Sequence, residues 1–157
     1  KNKKIILGIA DIPALDERYI GYSNKSYKIV HGKKYKLRVN SNSKLNNSIL
    51  NTTSPYVFAN KSDQKSFERV SKKVKSTRLG GDCYSYCLLA DGHVDIVIES
   101  GLKPWDIRAL EPIIINAGGV LKTWENRDII SGGRIIASNN KTLYRNVINV
   151  IKKPSYY

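Results

Sequence analysis

Three acids in the middle of the chain stand where chemistry could be done. Asp82 follows the pair Gly80-Gly81, Glu99 follows a short apolar run, and Asp106 follows Pro104-Trp105. Each has a plain structural use. Asp82 suits a helix cap, and Asp106, in a helical first turn, complements the helix dipole. Glu99 closes a strand so apolar that its carboxylate is expected to emerge at the sheet edge. Each also has a chemical use. Amides freed by a Gly-Gly turn at a helix start suit a phosphate or hydroxyl. A carboxylate at a strand end accepts from a polar substrate, and one pointing out of a crevice can hold a hard metal ion. Taken singly, the structural uses are the commoner ones. Asp95, opening the same strand as Glu99, reads as structural.

The elements that must position these acids follow from period and punctuation. A helix over 82–91 ends at Gly92, and a strand over 94–98 leads to Glu99. Pro104 starts a second helix, Gly118-Gly119 closes it, and Val120-Leu121 begins a strand. Acids where strands end and helices begin are where open α/β sheets bind ligands.

The flanks read differently. A strand over 4–10 ends in a turn at 11–13, and 17–22 is its hairpin partner, with Arg18, Ile20 and Tyr22 on one face and Tyr19 and Gly21 on the other. Strands over 26–30 and 35–39 flank His31-Gly32, with Lys33-Lys34 as edge decoration. A loop over 40–47, with one helical turn at 43–47, leads to a strand over 49–52. A helix over 61–72 is expected to be capped by Ser62-Asp63. A strand over 74–78 follows, then a loop over 124–133, a strand over 134–138, and a helix capped by Asn139 or Asn140. Its apolar stripe is Leu143, Val147, Val150 and Ile151. Hairpins give way to β/α alternation near residue 75, which divides the chain into 1–75 and 76–157.

A chain of 157 residues, 41% apolar, can bury one real core. No apolar run approaches the ~20 residues that span a bilayer, so a cytoplasmic protein without a membrane partner is expected. The chain holds no Met and opens at Lys1 onto a strand-like run, which suggests a piece of a longer protein. The net charge of +14 raises nucleic acid as a partner. Its basic residues are instead scattered, in doublets such as Lys33-Lys34 and Lys72-Lys73, without a block of five. Solvated lysines and a small anionic substrate account for it, and no nucleic-acid partner is expected. Cys83 and Cys87 share a helical face but are poorly placed for a disulfide. With His31 and His93 remote they make no zinc pattern, and they read as buried small hydrophobes.

Taken together, the strings are more specific than the single acids. WDIRALEPIIINAGGVL, at 105–121, resembles the C-terminal signature of the inositol-monophosphatase-like family of metal-dependent phosphatases. GGDCYSYCLLADGHVDIVIESGLKPWD, at 80–106, is most similar to the branch that dephosphorylates histidinol phosphate. Looser similarity extends through TTSP at 52–55 and LGIADIPALDERY at 7–19. The resemblance implies a layered α/β sandwich, incomplete at its N-terminal side, with Mg²⁺ as cofactor and a small phosphorylated substrate. It implies hydrolysis by a metal-activated water and a homodimer as the full-length enzyme. Asp106 would be a metal ligand, Glu99 would meet the substrate's alcohol portion, and Gly81 and Asp82 would line the same pocket. Tyr84 and Lys103 are secondary, one packing and one facing solvent.

The departure is as informative. The family's Glu-Glu element and Asp-Pro-Ile-Asp-Gly-Thr loop occur nowhere in these residues, so the segment alone is expected to be inactive. Alternatives are an inositol or nucleotide phosphatase of the same fold, or a basic binding module without catalysis.

Overall fold

Period-two burial folds the first quarter of the chain into an antiparallel meander. The computed structural model describes residues 5–42 and 44–152. Strands β1 (Leu7–Ile12), β2 (Glu17–Tyr22), β3 (Lys25–Val30) and β4 (Lys33–Lys36) pair in sequence order. Two of the turns put residue pairs at positive φ, Ser23-Asn24 (50° and 60°) and His31-Gly32 (47° and 72°). That geometry matches the twist of the strands it joins. The strand expected over 35–39 occupies Lys33–Lys36 instead, so Lys33 and Lys34 lie exposed on the edge strand itself.

The second sheet has five strands: β5 (Ile49–Thr52), β6 (Ser76–Leu79), β7 (Ile96–Leu102), β8 (Val120–Thr123) and β9 (Gly133–Ser138), ordered β6-β5-β7-β9-β8. β5 runs parallel to β6 and β7, while β9 is antiparallel to β7 and β8. Among the described residues five helices accompany the strands: α1 (Lys61–Ser71), α2 (Asp82–Ala90), α3 (Pro104–Ile107), α4 (Leu110–Asn116) and α5 (Lys141–Ile151). The result is a layered α/β fold. One core joins the meander, α2, α4 and one face of the second sheet, and includes Tyr19, Val97, Ile113 and Ile135. The other joins the opposite face to α1 and α5 and includes Ile96, Ile98, Val70 and Val147.

The meander accepts α4 because its facing residues are small. A Cβ on Gly21 would lie 2.3 Å from the Ile113 nitrogen, and one on Gly8 would meet the Ala109 carbonyl. Ser26 Oγ donates to the Ile113 carbonyl at 2.8 Å.

Several expectations need correction. β1 runs to Ile12, and the chain turns later, in a 3₁₀ turn at Pro13–Leu15; residue 4 lies outside the described residues. The turn expected at 43–47 occupies Leu45–Asn47, and residue 43 is likewise outside them. Asn60, not Ser62-Asp63, caps α1, accepting from the Asp63 N–H at 2.9 Å. Asp63 is instead buried, where Ser100 Oγ donates to it at 2.5 Å and Arg134 at 3.2 Å. Asn140 caps α5. The two sheets change over between Lys36 and Ile49, and β5 pairs with the parallel strand β6 that follows it. Cys87 is buried but Cys83 is exposed at the start of α2. No helix among the described residues is long and apolar enough to cross a membrane.

Candidate functional site

The parallel strands β5, β6 and β7 bring their carboxyl ends to one place. Pairing Asn51 with Val97 sets the residues after Thr52 level with Glu99, and the Thr53 N–H donates to Glu99 Oε1 at 2.7 Å. On the other flank, the Gly80 N–H donates to the Thr52 and Thr53 carbonyls at 3.0 and 2.9 Å. The turn out of β6 is therefore stitched to the end of β5.

That turn departs from ordinary backbone. Gly80, Gly81 and Asp82 have φ of 91°, 103° and 41°. A left-handed residue other than glycine costs about 1–2 kcal/mol, so Asp82 is held there by its surroundings. A Cβ on Gly81 would lie 2.6 Å from Ser85 Oγ, and that hydroxyl donates to the Gly80 carbonyl at 3.1 Å. Asn51 Nδ2 donates to the same hydroxyl at 3.2 Å. Gly81, rather than Asp82, is the N-cap of α2, and it brings no side-chain cap. Asp82 is consequently exposed and spared the capping duty expected of it.

Glu99 is where the sequence reading erred most. β7 continues three residues past it, and its side chain is buried, the residue being 3% exposed. Burial raises its pKa above the usual carboxylate range, and the Asp82 charge adds to the rise. The Thr53 N–H and the hydroxyls of Thr53 and Thr52 act in the opposite direction.

Asp106 takes the helix-start role weighed for it. Its Oδ2 accepts from the Lys103 N–H at 2.7 Å, closing the first turn of α3, and the residue stays exposed. One turn beyond Asp82 on α2, Tyr86 is 3% exposed and its hydroxyl has no hydrogen-bond partner among the described residues. Burial pushes its pKa well up, and the charges of Glu99 and Asp106 push it further. It remains a neutral donor within electrostatic reach of both acids. An orphan buried hydroxyl is a group that a ligand would satisfy.

The charges of Glu99 and Asp106 both act on Tyr86, and that of Asp82 acts on Glu99. Tyr86, Asn51 and Ser85 were missed; the spacing of four between Asp82 and Tyr86 on one helix was the available signal. Asp95 is structural as expected, accepting from the Ile49 N–H at 2.8 Å and from Asn139 Nδ2 at 3.0 Å. Tyr84 packs edge-on against Tyr19 and donates to Glu17 at 3.1 Å, and Lys103 is exposed. Among the described residues no three His, Cys, Asp or Glu side chains group to hold a metal ion.

Comparison with known proteins agrees with this geometry. The model of the inositol monophosphatase family matches residues 1–155. The chain is 46% identical over 124 residues to the chloroplastic bifunctional phosphatase IMPL2 of Arabidopsis thaliana, covering 79% of this chain and 35% of that protein. It is 30% identical over 135 residues to the histidinol-phosphatase of Mycobacterium tuberculosis, covering 85% and 52%. Among solved structures, an inositol monophosphatase from Zymomonas mobilis superposes with a TM-score of 0.85 at 35% identity, covering 94% of this chain and 58% of that one. The chain spans between a third and about half of these curated relatives.

Proposed function

From its membership of the inositol monophosphatase family, we propose that this chain is the substrate-facing portion of a Mg²⁺-dependent phosphate monoesterase acting on histidinol phosphate. The observation that carries the reading is the Tyr86 hydroxyl, buried without a partner among the described residues and acted on by the charges of Glu99 and Asp106. Asp106 offers a hard carboxylate oxygen of the kind Mg²⁺ takes. A single carboxylate does not complete a Mg²⁺ site. Bound there, the metal supplies an activated water and charge neutralisation at the phosphate.

The chain's own residues do the recognition. Glu99, held by the Thr53 N–H, accepts from a substrate hydroxyl or amine, and Tyr86 donates. Asp82, Glu99 and Asp106 would give a site there negative charge. That charge favours an alcohol portion carrying a cation, and histidinol phosphate carries an amine and an imidazole. The relative named histidinol-phosphatase supports the same choice. Inositol phosphate, whose polyol portion is uncharged, is the second reading, favoured by the solved structure at 35% identity. As a full-length enzyme the protein is proposed to be a homodimer.

The test completes the chain with the uncovered part of the Zymomonas mobilis protein and compares kcat/KM for the two phosphates with Mg²⁺. Histidinol phosphate is expected to be preferred at least about tenfold, and Asp82→Asn to narrow the ratio by about that factor. Equal or better turnover of inositol phosphate overturns the substrate. No turnover of either overturns the activity and leaves the basic binding module. The chain alone is expected to be inactive.

A further inference from the structure

Helix α1 carries a polar stripe besides its apolar one. Ser62, Lys65, Ser66 and Arg69 recur at helical spacing, and all four line a hollow of about 580 Å³. The end of α5, with Lys152, and the β8–β9 connection form its other walls. A buried carboxylate builds the site. Asp63 is 2% exposed and both its oxygens are engaged, Ser100 Oγ donating to one at 2.5 Å and Arg134 to the other at 3.2 Å. Glu125 pairs with a second nitrogen of the same guanidinium, which lies 5.5 Å from the centroid of the Trp124 ring. Three partners therefore fix the direction of Arg134. Arg69 is oriented as well, donating to Ser66 Oγ at 2.9 Å and to the Ile151 carbonyl at 2.8 Å.

The charges around this hollow do not balance. Four cations line it against two carboxylates, and both carboxylates, Asp63 and Glu125, are held by Arg134. Lys65 and Lys152, on separate helices, are exposed at its rim. Like charges gathered round a concave space repel one another, and an anion seated among them removes that cost. Ammonium and guanidinium groups together suit a phosphate, whose oxygens accept from several directions and which carries about two charges near neutral pH. We propose that this hollow binds a small phosphate dianion, free or as the phosphoryl group of an ester, between Lys65 and Lys152 and beside the oriented guanidinium of Arg134. The hollow lies on the α1–α5 side of the second sheet, whereas α2, which carries Asp82 and Tyr86, packs on the other. Ser100 marks the divide: it follows Glu99 on β7 but reaches Asp63. The proposal therefore stands independently of the phosphatase reading.

Trp124 supplies the test, because it lines the hollow while the other tryptophan, Trp105, is 79% exposed. The full chain carrying Trp105→Phe is titrated with inorganic phosphate at fixed ionic strength. A chelator is present, so neither screening nor a metal contributes. Trp124 fluorescence is expected to change saturably, with its midpoint at about 1 mM. Lys65→Ala with Lys152→Ala, both at exposed positions, should weaken binding at least about tenfold. Lys33→Ala with Lys34→Ala removes the same charge from the meander and should change it less than about twofold. Acetate, a monoanion, should not compete. A response that never saturates, competition by acetate, equal weakening by the meander pair, or unchanged affinity without Lys65 and Lys152 overturns the proposal. Melting of the unsubstituted chain decides if Trp124 stays silent. Phosphate must raise Tm, and the rise must be lost with Lys65 and Lys152 and kept in the meander variant; no rise overturns the site. Glycerol phosphate titrated alongside separates the sources: tighter binding than phosphate assigns the site to an ester, equal or weaker binding to free phosphate. None of these readouts requires turnover, so the phosphatase reading can fail while the anion site stands.

Discussion

Replacing Tyr86 with Phe removes one oxygen from the interior and leaves the ring that fills the same space. In the folded chain that oxygen is buried without a hydrogen-bond partner, so the hydration it loses on folding is not returned. A buried polar group left unsatisfied costs about 1–3 kcal/mol, whereas a satisfied hydrogen bond contributes about 0.5–1.5 kcal/mol. The two cases predict opposite signs. With no partner in the chain, Tyr86→Phe should stabilise by about 1 kcal/mol, the low end being apt because the ring loses a contact atom. For a chain of this size that raises Tm by about 2–4 °C. Urea unfolding checks it through a higher midpoint at unchanged slope. In the completed enzyme the same substitution should lower kcat/KM about tenfold, one hydrogen bond of about 1.4 kcal/mol to substrate being lost. A variant destabilised by about 1 kcal/mol would refute the reasoning, since Tyr86 would then be a structural donor and not one kept free for a ligand.

Gly81→Ala must place a Cβ 2.6 Å from Ser85 Oγ at a φ of 103°; a loss of about 2 kcal/mol in urea is expected, and a neutral result would mean the turn is not held as described. Gly21→Ala pushes a methyl group into the backbone of α4, 2.3 Å from the Ile113 nitrogen, with an expected cost of about 3 kcal/mol and a matching fall in Tm. Glu99→Gln keeps an acceptor for the Thr53 N–H while removing a carboxyl whose pKa burial has raised. The folded state binds that proton more tightly than the unfolded state, so the wild type loses stability relative to Gln as pH rises from the ordinary carboxylate range through the raised value. The variant's midpoint advantage should be larger at about pH 7.5 than at about pH 4; an advantage flat across that range would count against a strained carboxylate. Asn140→Ala removes the cap bond to the Leu143 N–H and should cost about 1 kcal/mol.

What the sequence could and could not convey follows from the range of each interaction. Strands such as Glu17–Tyr22 and Ile49–Thr52 were legible to the residue because alternation and flanking turns are local. The α5 cap and stripe were legible for the same reason. Glu99 was misplaced because strand length is decided by a partner far along the chain: β9 pairs past it to Leu102, and no local pattern announces that. Asn60 was passed over because Ser62-Asp63 satisfies the same local rule. Asp63 was free for burial only because Ser100 and Arg134 reach it from distant strands. The acids of the site were visible as types at turns, but Tyr86 reads as one more apolar helix residue until its hydroxyl is seen to be alone.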